Sequence, residues 1–221
     1  MSETLNDNPT EIREDEEIDN SRLSNYLSNF FDISKPDLEI LQFPSGFSNL
    51  TYLIKSNQKE YILRKPPFGA KVKSGHDMSR EYKVLSALKN NYKKSPTPLH
   101  YCNDINIIGS DFYIMERIRG IVLRSNNFKK ILTEKSQYDF IASEFVDTLI
   151  ELHKLEIEKI GLSEFGKPNG YCDRQVKGWT KRYQNSKTND IPEINFVINW
   201  LNSNISESPY VSLIHNDFKY D

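Results

Sequence analysis

A chain of 221 residues with 37% apolar residues, twelve Phe and twelve Tyr can fill a folded core, which excludes a disordered protein. No apolar run approaches the roughly 18 residues of a membrane span, and the N-terminus is acidic where a secretory signal is basic, so a cytoplasmic protein without a membrane partner is expected. The net charge of -2 divides unevenly: eight Asp and Glu against Arg13 put about -7 in residues 1–19 and about +5 in the remainder.

Residues 1–19 are polar, acidic and without periodicity, and read as a disordered tail. Leu23, Tyr26, Leu27, Phe30 and Phe31 then fall on one helix face, with Asn20 or Ser21 as cap and Lys35-Pro36 as stop. The period next changes to that of strands. Residues 38–43, 49–54 and 60–64 form three antiparallel runs, joined by Pro44-Ser45-Gly46-Phe47-Ser48 and by Ser56-Asn57-Gln58-Lys59.

The first of these loops places small residues on either side of Gly46, which lets backbone N–H groups turn toward a phosphate; it also suits an ordinary hairpin. In the third run Arg64 shares a face with Ile62, either as a base-and-phosphate pair or as an edge-strand cation. Asp77 caps a helix that carries Tyr82, Leu85 and Leu88 along one side. Glu81, in its first turns, can reach inward to a cation on the sheet or stay in solvent beside Arg80.

Residues 98–102 and 110–116, with Asn103-Asp104 as turn, complete a five-stranded sheet. The last strand runs into Arg117-Ile118-Arg119-Gly120, a polar exit with Gly that suits a domain boundary. Helical periodicity follows: one long helix from Tyr138 to His153, a shorter basic one between Tyr171 and Tyr183, and another from Ile191 to Ile205. Its few basic residues in a chain of negative total charge argue against a nucleic-acid partner. Cys102 and Cys172 lie 70 positions apart without a second ligand at zinc spacing, so they read as reduced thiols and no metal site is assigned. The chain closes with Val211-Ser212-Leu213-Ile214, read as a buried strand, and a loop with His215, Asp217 and Lys219 at alternate positions.

The ordered set of Phe43 to Tyr52, Ile62 to Pro67, His76 to Tyr82, Phe112 to Arg117, Arg174 to Trp179 and His215 to Asp221 resembles the aminoglycoside phosphotransferase and choline kinase group, closest to the kinase-like domains fused to some acyl-CoA dehydrogenases. The resemblance implies an α+β, protein-kinase-like two-lobe fold. Residues 20–117 would be an N-lobe with a five-stranded antiparallel sheet and a helix; residues 118–221 would be an incomplete helical C-lobe.

It also implies ATP-dependent phosphorylation of a hydroxyl on a small metabolite, a hydroxy acid or hydroxyacyl thioester being favoured. Ser45, Gly46, Phe47, Ser48 and Asn49 would cover the phosphates, Ile62 would meet the base, Arg64 would stand where the family has a strand Lys, and Glu81 would hold it. The backbone of Met115, Glu116 and Arg117 would bind adenine; Asp217 would act as base, Lys219 would neutralise the transferring phosphoryl group, and His215 would support the loop. The family's magnesium ligands are expected beyond Asp221, so the 221-residue chain is expected to have little kinase activity, with a non-catalytic nucleotide- or partner-binding module as the alternative.

Overall fold

Alternation along the strands builds a sheet with two unlike faces. The computed structural model describes residues 8–33, 38–44, 48–67, 69, 76–124, 127–206 and 210–220. In order, these form α1 (Asn20–Leu27), β1 (Glu39–Gln42), β2 (Leu50–Ser56), β3 (Lys59–Lys65), α2 (Met78–Leu88), β4 (Pro98–Cys102), α3 (Ile105–Ile108), β5 (Phe112–Glu116), α4 (Phe128–Ile131), α5 (Lys135–His153), α6 (Tyr171–Ser186) and α7 (Pro192–Ser203). The five strands make one antiparallel sheet in the order β1-β2-β3-β5-β4, as the sequence leads one to expect.

Leu50, Tyr52 and Ile54 of β2, Leu63 of β3 and Phe112 and Ile114 of β5 point to one face, where they bury Leu23 and Leu27 of α1 and Ile108 of α3. Residues one position out of phase, Leu53 and Ile62, point to the other face and pack with Phe43, Leu41 and Met115. The first face is a closed core. The second carries the candidate site.

Turn chemistry fixes which residue faces which side. The β2–β3 hairpin turns on Asn57 and Gln58, both left-handed with φ of 48° and 64°, the two-residue geometry that matches strand twist. The pairing that follows sets Ser56 opposite Lys59, Thr51 opposite Arg64 and Leu50 opposite Lys65. Arg64 therefore faces the site, whereas Lys65 is 1% exposed on the core side and donates from Nζ to the Ile108 carbonyl at 3.3 Å. Burial pushes the Lys65 ammonium below its ordinary pKa.

Several expectations need correction. Residues 8–19 are not a disordered tail: Thr10 exchanges backbone hydrogen bonds with Gln42 at 2.8 and 2.9 Å, Tyr52 Oη donates to the Glu16 carbonyl at 2.7 Å, and Ile18 joins the core. Ordered polar partners on the sheet outweigh the absence of apolar periodicity there. The first helix ends at Leu27 and is capped by Asp19, whose carboxylate accepts from the Arg22 N–H at 2.9 Å; Asn20 instead donates to the Leu38 carbonyl. Phe30 and Phe31 leave the helix to meet His100 and Tyr61, with ring centroids 4.0 and 5.0 Å apart.

The expected turn at Asn103-Asp104 is the start of the one-turn helix α3, with Asp104 as cap and Gly109 ending it at φ 82°. A single turn leaves no periodicity to read. Val211–Ile214 forms no strand; Val211 and Ile214 are exposed, and no ladder partner lies beside them among the described residues. Strand propensity without a neighbour to bond is not enough. By contrast, Asp77 caps α2 as expected, accepting from the Arg80 N–H, a bond that lowers its carboxyl pKa.

The chain forms two compact units, Met1–Leu152 with His215–Asp221, and His153–Ile214. The first holds the sheet, α1 to α5 and the terminal loop. In the second, α6 packs on α7. No helix among the described residues is long and apolar enough to cross a membrane.

Candidate functional site

Glu81 is the centre of the polar half of the site. Its position in the first turns of α2 lets its carboxylate reach the sheet, where Oε2 takes Arg64 Nε at 3.0 Å and Tyr113 Oη at 2.9 Å, and Oε1 takes Asn49 Nδ2 at 2.7 Å. Asn49 is buried, and its Oδ1 meets His76 Nδ1 at 2.8 Å. Arg64 uses Nε for Glu81, which leaves the terminal fork of the guanidinium out of this contact. Burial holds the Tyr113 phenol well above its ordinary pKa, with Arg64 opposing and Glu81 reinforcing the shift, so it is a neutral donor to Glu81.

The apolar half lies on the same face. Phe43, Thr51, Leu53, Ile62 and Met115 line a cleft of about 710 Å³ that continues along Glu116 to Val122. Glu116 is held in place at both ends, since its N–H donates to the Thr97 carbonyl at 2.9 Å and its Oε1 accepts from the Thr97 N–H at 2.9 Å. Beyond it, Arg117 Nη1 and Arg119 Nη2 both reach Glu60 Oε2 at 2.7 Å. Burial alone would raise the Glu60 carboxyl, but the hydrogen bonds and charges of these two arginines hold it below its ordinary pKa. Arg117 also sits 5.8 Å from the Phe43 ring centre.

The terminal loop is seated by aromatic rings. Phe218 and Tyr220 stack on Phe145 of α5 with centroids 4.3 and 4.4 Å away, and Tyr220 also approaches Phe128 at 6.4 Å. Ahead of these anchors Asn216 is left-handed at φ 64°, and His215 Nδ1 accepts from the Asp217 N–H at 3.3 Å. Lys219 Nζ lies 3.3 Å from Asp217 Oδ2, and the Asp217 side chain is 76% exposed. Anchoring aromatics at alternate positions leave the charged side chains toward solvent.

Of the residues singled out in the sequence, Asn49, Arg64 and Glu81 meet directly; Ile62, Met115, Glu116 and Arg117 line one cleft; and His215, Asp217 and Lys219 share one loop. Ser48 is exposed, and Ser45, Gly46 and Phe47 lie outside the described residues. Sequence reasoning missed Tyr113, His76, Glu60 and Phe145. Tyr113 stands opposite Arg64 in the β3–β5 ladder, a pairing between strands about fifty residues apart that no local pattern announces.

A five-stranded antiparallel sheet with a strand cation held by a helix Glu, and a loop with Asp and Lys at alternate positions, defines a kinase-like α+β fold of the aminoglycoside phosphotransferase type. A family model described as the phosphotransferase enzyme family matches residues 39–221, and the chain belongs to that family. A solved structure from Ralstonia eutropha ascribed to the aminoglycoside phosphotransferases superposes with a TM-score of 0.78 at 28% identity, over 93% of this chain and 60% of the other.

Acyl-CoA dehydrogenase family member 11 of Rattus norvegicus is 36% identical over 200 residues, which is 90% of this chain and 25% of that protein. Acyl-CoA dehydrogenase family member 10 of Mus musculus is 33% identical over 215 residues, 97% of this chain and 20% of that protein. The chain thus spans about a quarter of the length of these relatives.

Proposed function

We propose that the chain carries the nucleotide-binding and catalytic-loop portion of an ATP-dependent kinase that phosphorylates a hydroxyl of a small metabolite. The observation that carries this reading is the shared face of Ile62 and Arg64, with Glu81 bonded to the latter: an apolar wall for a base and, one strand period on, a braced cation for phosphates. Adenine would lie against Leu53, Ile62 and Met115 with its edge on the backbone of Glu116 and Arg117, and the Arg64 fork would take the phosphate oxygens. The acceptor hydroxyl oxygen would attack the γ-phosphorus as its proton passes to Asp217, ADP would leave, and Lys219 would offset charge on the transferring group.

ATP with magnesium is the expectation of such a family; the residues assigned here act on nucleotide and acceptor, and no group of three or more His, Cys, Asp and Glu converges among the described residues. The acceptor is proposed to be a hydroxy acid or hydroxyacyl thioester. Support comes from the relatives in which a matching segment belongs to a protein named for acyl-CoA dehydrogenation.

Transfer of labelled γ-phosphate from ATP to a panel of hydroxy acids, hydroxyacyl thioesters and amino sugars, by a version extended past Asp221, tests the reading. Label on a hydroxyacyl compound, lost in Asp217→Asn with nucleotide affinity retained, supports it. Nucleotide binding without transfer to any acceptor would point to a non-catalytic binding module.

A further inference from the structure

The acidic segment before α1 is built into the sheet by a buried amide. Gln42 is 1% exposed, and both ends of its side chain are taken by this segment: Oε1 accepts from the Arg13 N–H at 2.9 Å, and Nε2 donates to Glu16 Oε2 at 2.5 Å. Arg13 Nε closes the turn on Glu16 at 2.7 Å. A buried amide left without these partners would be costly, so the segment is part of the folded sheet and not an appendage.

Its direction is set by the Thr10–Gln42 bridge, which is antiparallel at the free edge of β1. The chain read backward from Thr10 therefore runs the way β1 runs on toward Phe43. Pro9 and Asn8 arrive at the cleft, where they line it together with Phe43, Leu53, Ile62 and Met115. Arg64 is not among the lining residues of that cleft, whose charged walls are mixed, with Lys55, Arg117 and Arg119 beside Glu60 and Glu116. The apolar stretch that Pro9 joins, formed by Phe43, Leu53, Ile62 and Met115, suits an uncharged, flat group.

Taking the nucleotide reading above as its basis, we propose that Asn8 and Pro9 form a wall of the site for the nucleoside end of the bound nucleoside triphosphate, with the Pro9 ring against the base or ribose and Asn8 beside it. The acidic segment is then a determinant of nucleoside affinity. Its anchor is Gln42, and its contacts are made by residues that precede the whole kinase-like sheet in the chain.

The test is calorimetric titration of the 221-residue chain with ATP and with inorganic tripolyphosphate, magnesium present, for the unaltered protein and for Asn8→Ala/Pro9→Gly. Both positions lie outside the core, so the variant should melt within about 1 °C of the parent. The expected result is a Kd for ATP raised about five- to tenfold with the Kd for tripolyphosphate unchanged, since only the nucleoside loses contacts. An unchanged Kd for ATP, or equal weakening of both ligands, overturns the proposal. If the unaltered chain holds tripolyphosphate as well as ATP, or binds no ATP, the nucleotide reading of the cleft fails and this inference with it.

Discussion

Arg64 and Glu81 meet through a single nitrogen, Nε to Oε2 at 3.0 Å, so the strand cation is steadied by the helix without its terminal fork being used in that contact. In the proposed function this would separate bracing from ligand binding within one side chain. Arg64→Ala should weaken ATP binding about 10- to 100-fold, and Arg64→Lys, which keeps the charge but loses the planar fork, by less. Glu81→Gln should fall between them, because it unbraces Arg64 and also weakens the bonds from Tyr113 and Asn49. Titration with ATP ranks the three; equal affinities for Arg64→Lys and Arg64→Ala would exclude a phosphate role for the cation.

Phe145 should matter to a loop it does not belong to. Phe145→Ala removes the ring under Phe218 and Tyr220, and is expected to cost about 1–2 kcal/mol, less than a fully buried Phe, while leaving the sheet intact. Hydrogen exchange should show faster exchange at residues 216–220 and no change in β2 and β3. Unchanged exchange in the loop would mean that the stacking does not seat it.

His100 gives the fold an acid-sensitive point. Its ring lies 4.0 Å from that of Phe30, its Nε2 is 2.9 Å from Tyr26 Oη, and burial lowers its pKa. The folded pKa is below that of the unfolded chain, so the unfolded state binds more protons between the two values. Stability from this group is present above about pH 6.5 and is lost as pH falls toward the folded pKa. Melting temperatures across pH 8 to 5 should fall at the acid end, and less so in His100→Gln.

Gln58 is a side chain in a glycine's conformation. With φ at 64° in the second position of the hairpin turn, Gln58→Gly should stabilise the chain by about 1 kcal/mol, as Asn-Gly is the preferred pair for this turn. Chemical denaturation measures it. A destabilised variant would show that the Gln58 side chain contributes more than its backbone strain removes.

Elements with a strong period were legible: the five strands, α2 with its Asp77 cap, and α5 ending at His153 could all be read from spacing. The Arg64–Glu81 pair was legible too, since each residue sits at a position whose direction follows from strand or helix geometry. What could not be read depends on distant partners. Tyr113 enters the site only through the ladder between β3 and β5, and the acidic segment is ordered by a Gln42 side chain that looks like an ordinary strand polar residue. Val211–Ile214 erred in the opposite direction, because apolar β-branched residues suggest a strand that needs a neighbour to exist.

The left-handed pair Asn57 and Gln58 reaches further than its own turn. Arg64 and Lys65 are adjacent cations on opposite faces of β3, and nothing in their own chemistry decides which of them turns to the Glu81 side. The choice is made at the far end of the hairpin, by a loop of two residues and not three. A single-residue insertion there, if the pairing followed it, would exchange the two: an ammonium would turn to the Glu81 face, and a guanidinium would be forced into the core where Lys65 now donates to the Ile108 carbonyl. Among relatives, then, the length of this turn and the type of cation on β3 should change together, so that a lysine on the Glu81 face can arise without any substitution at Arg64.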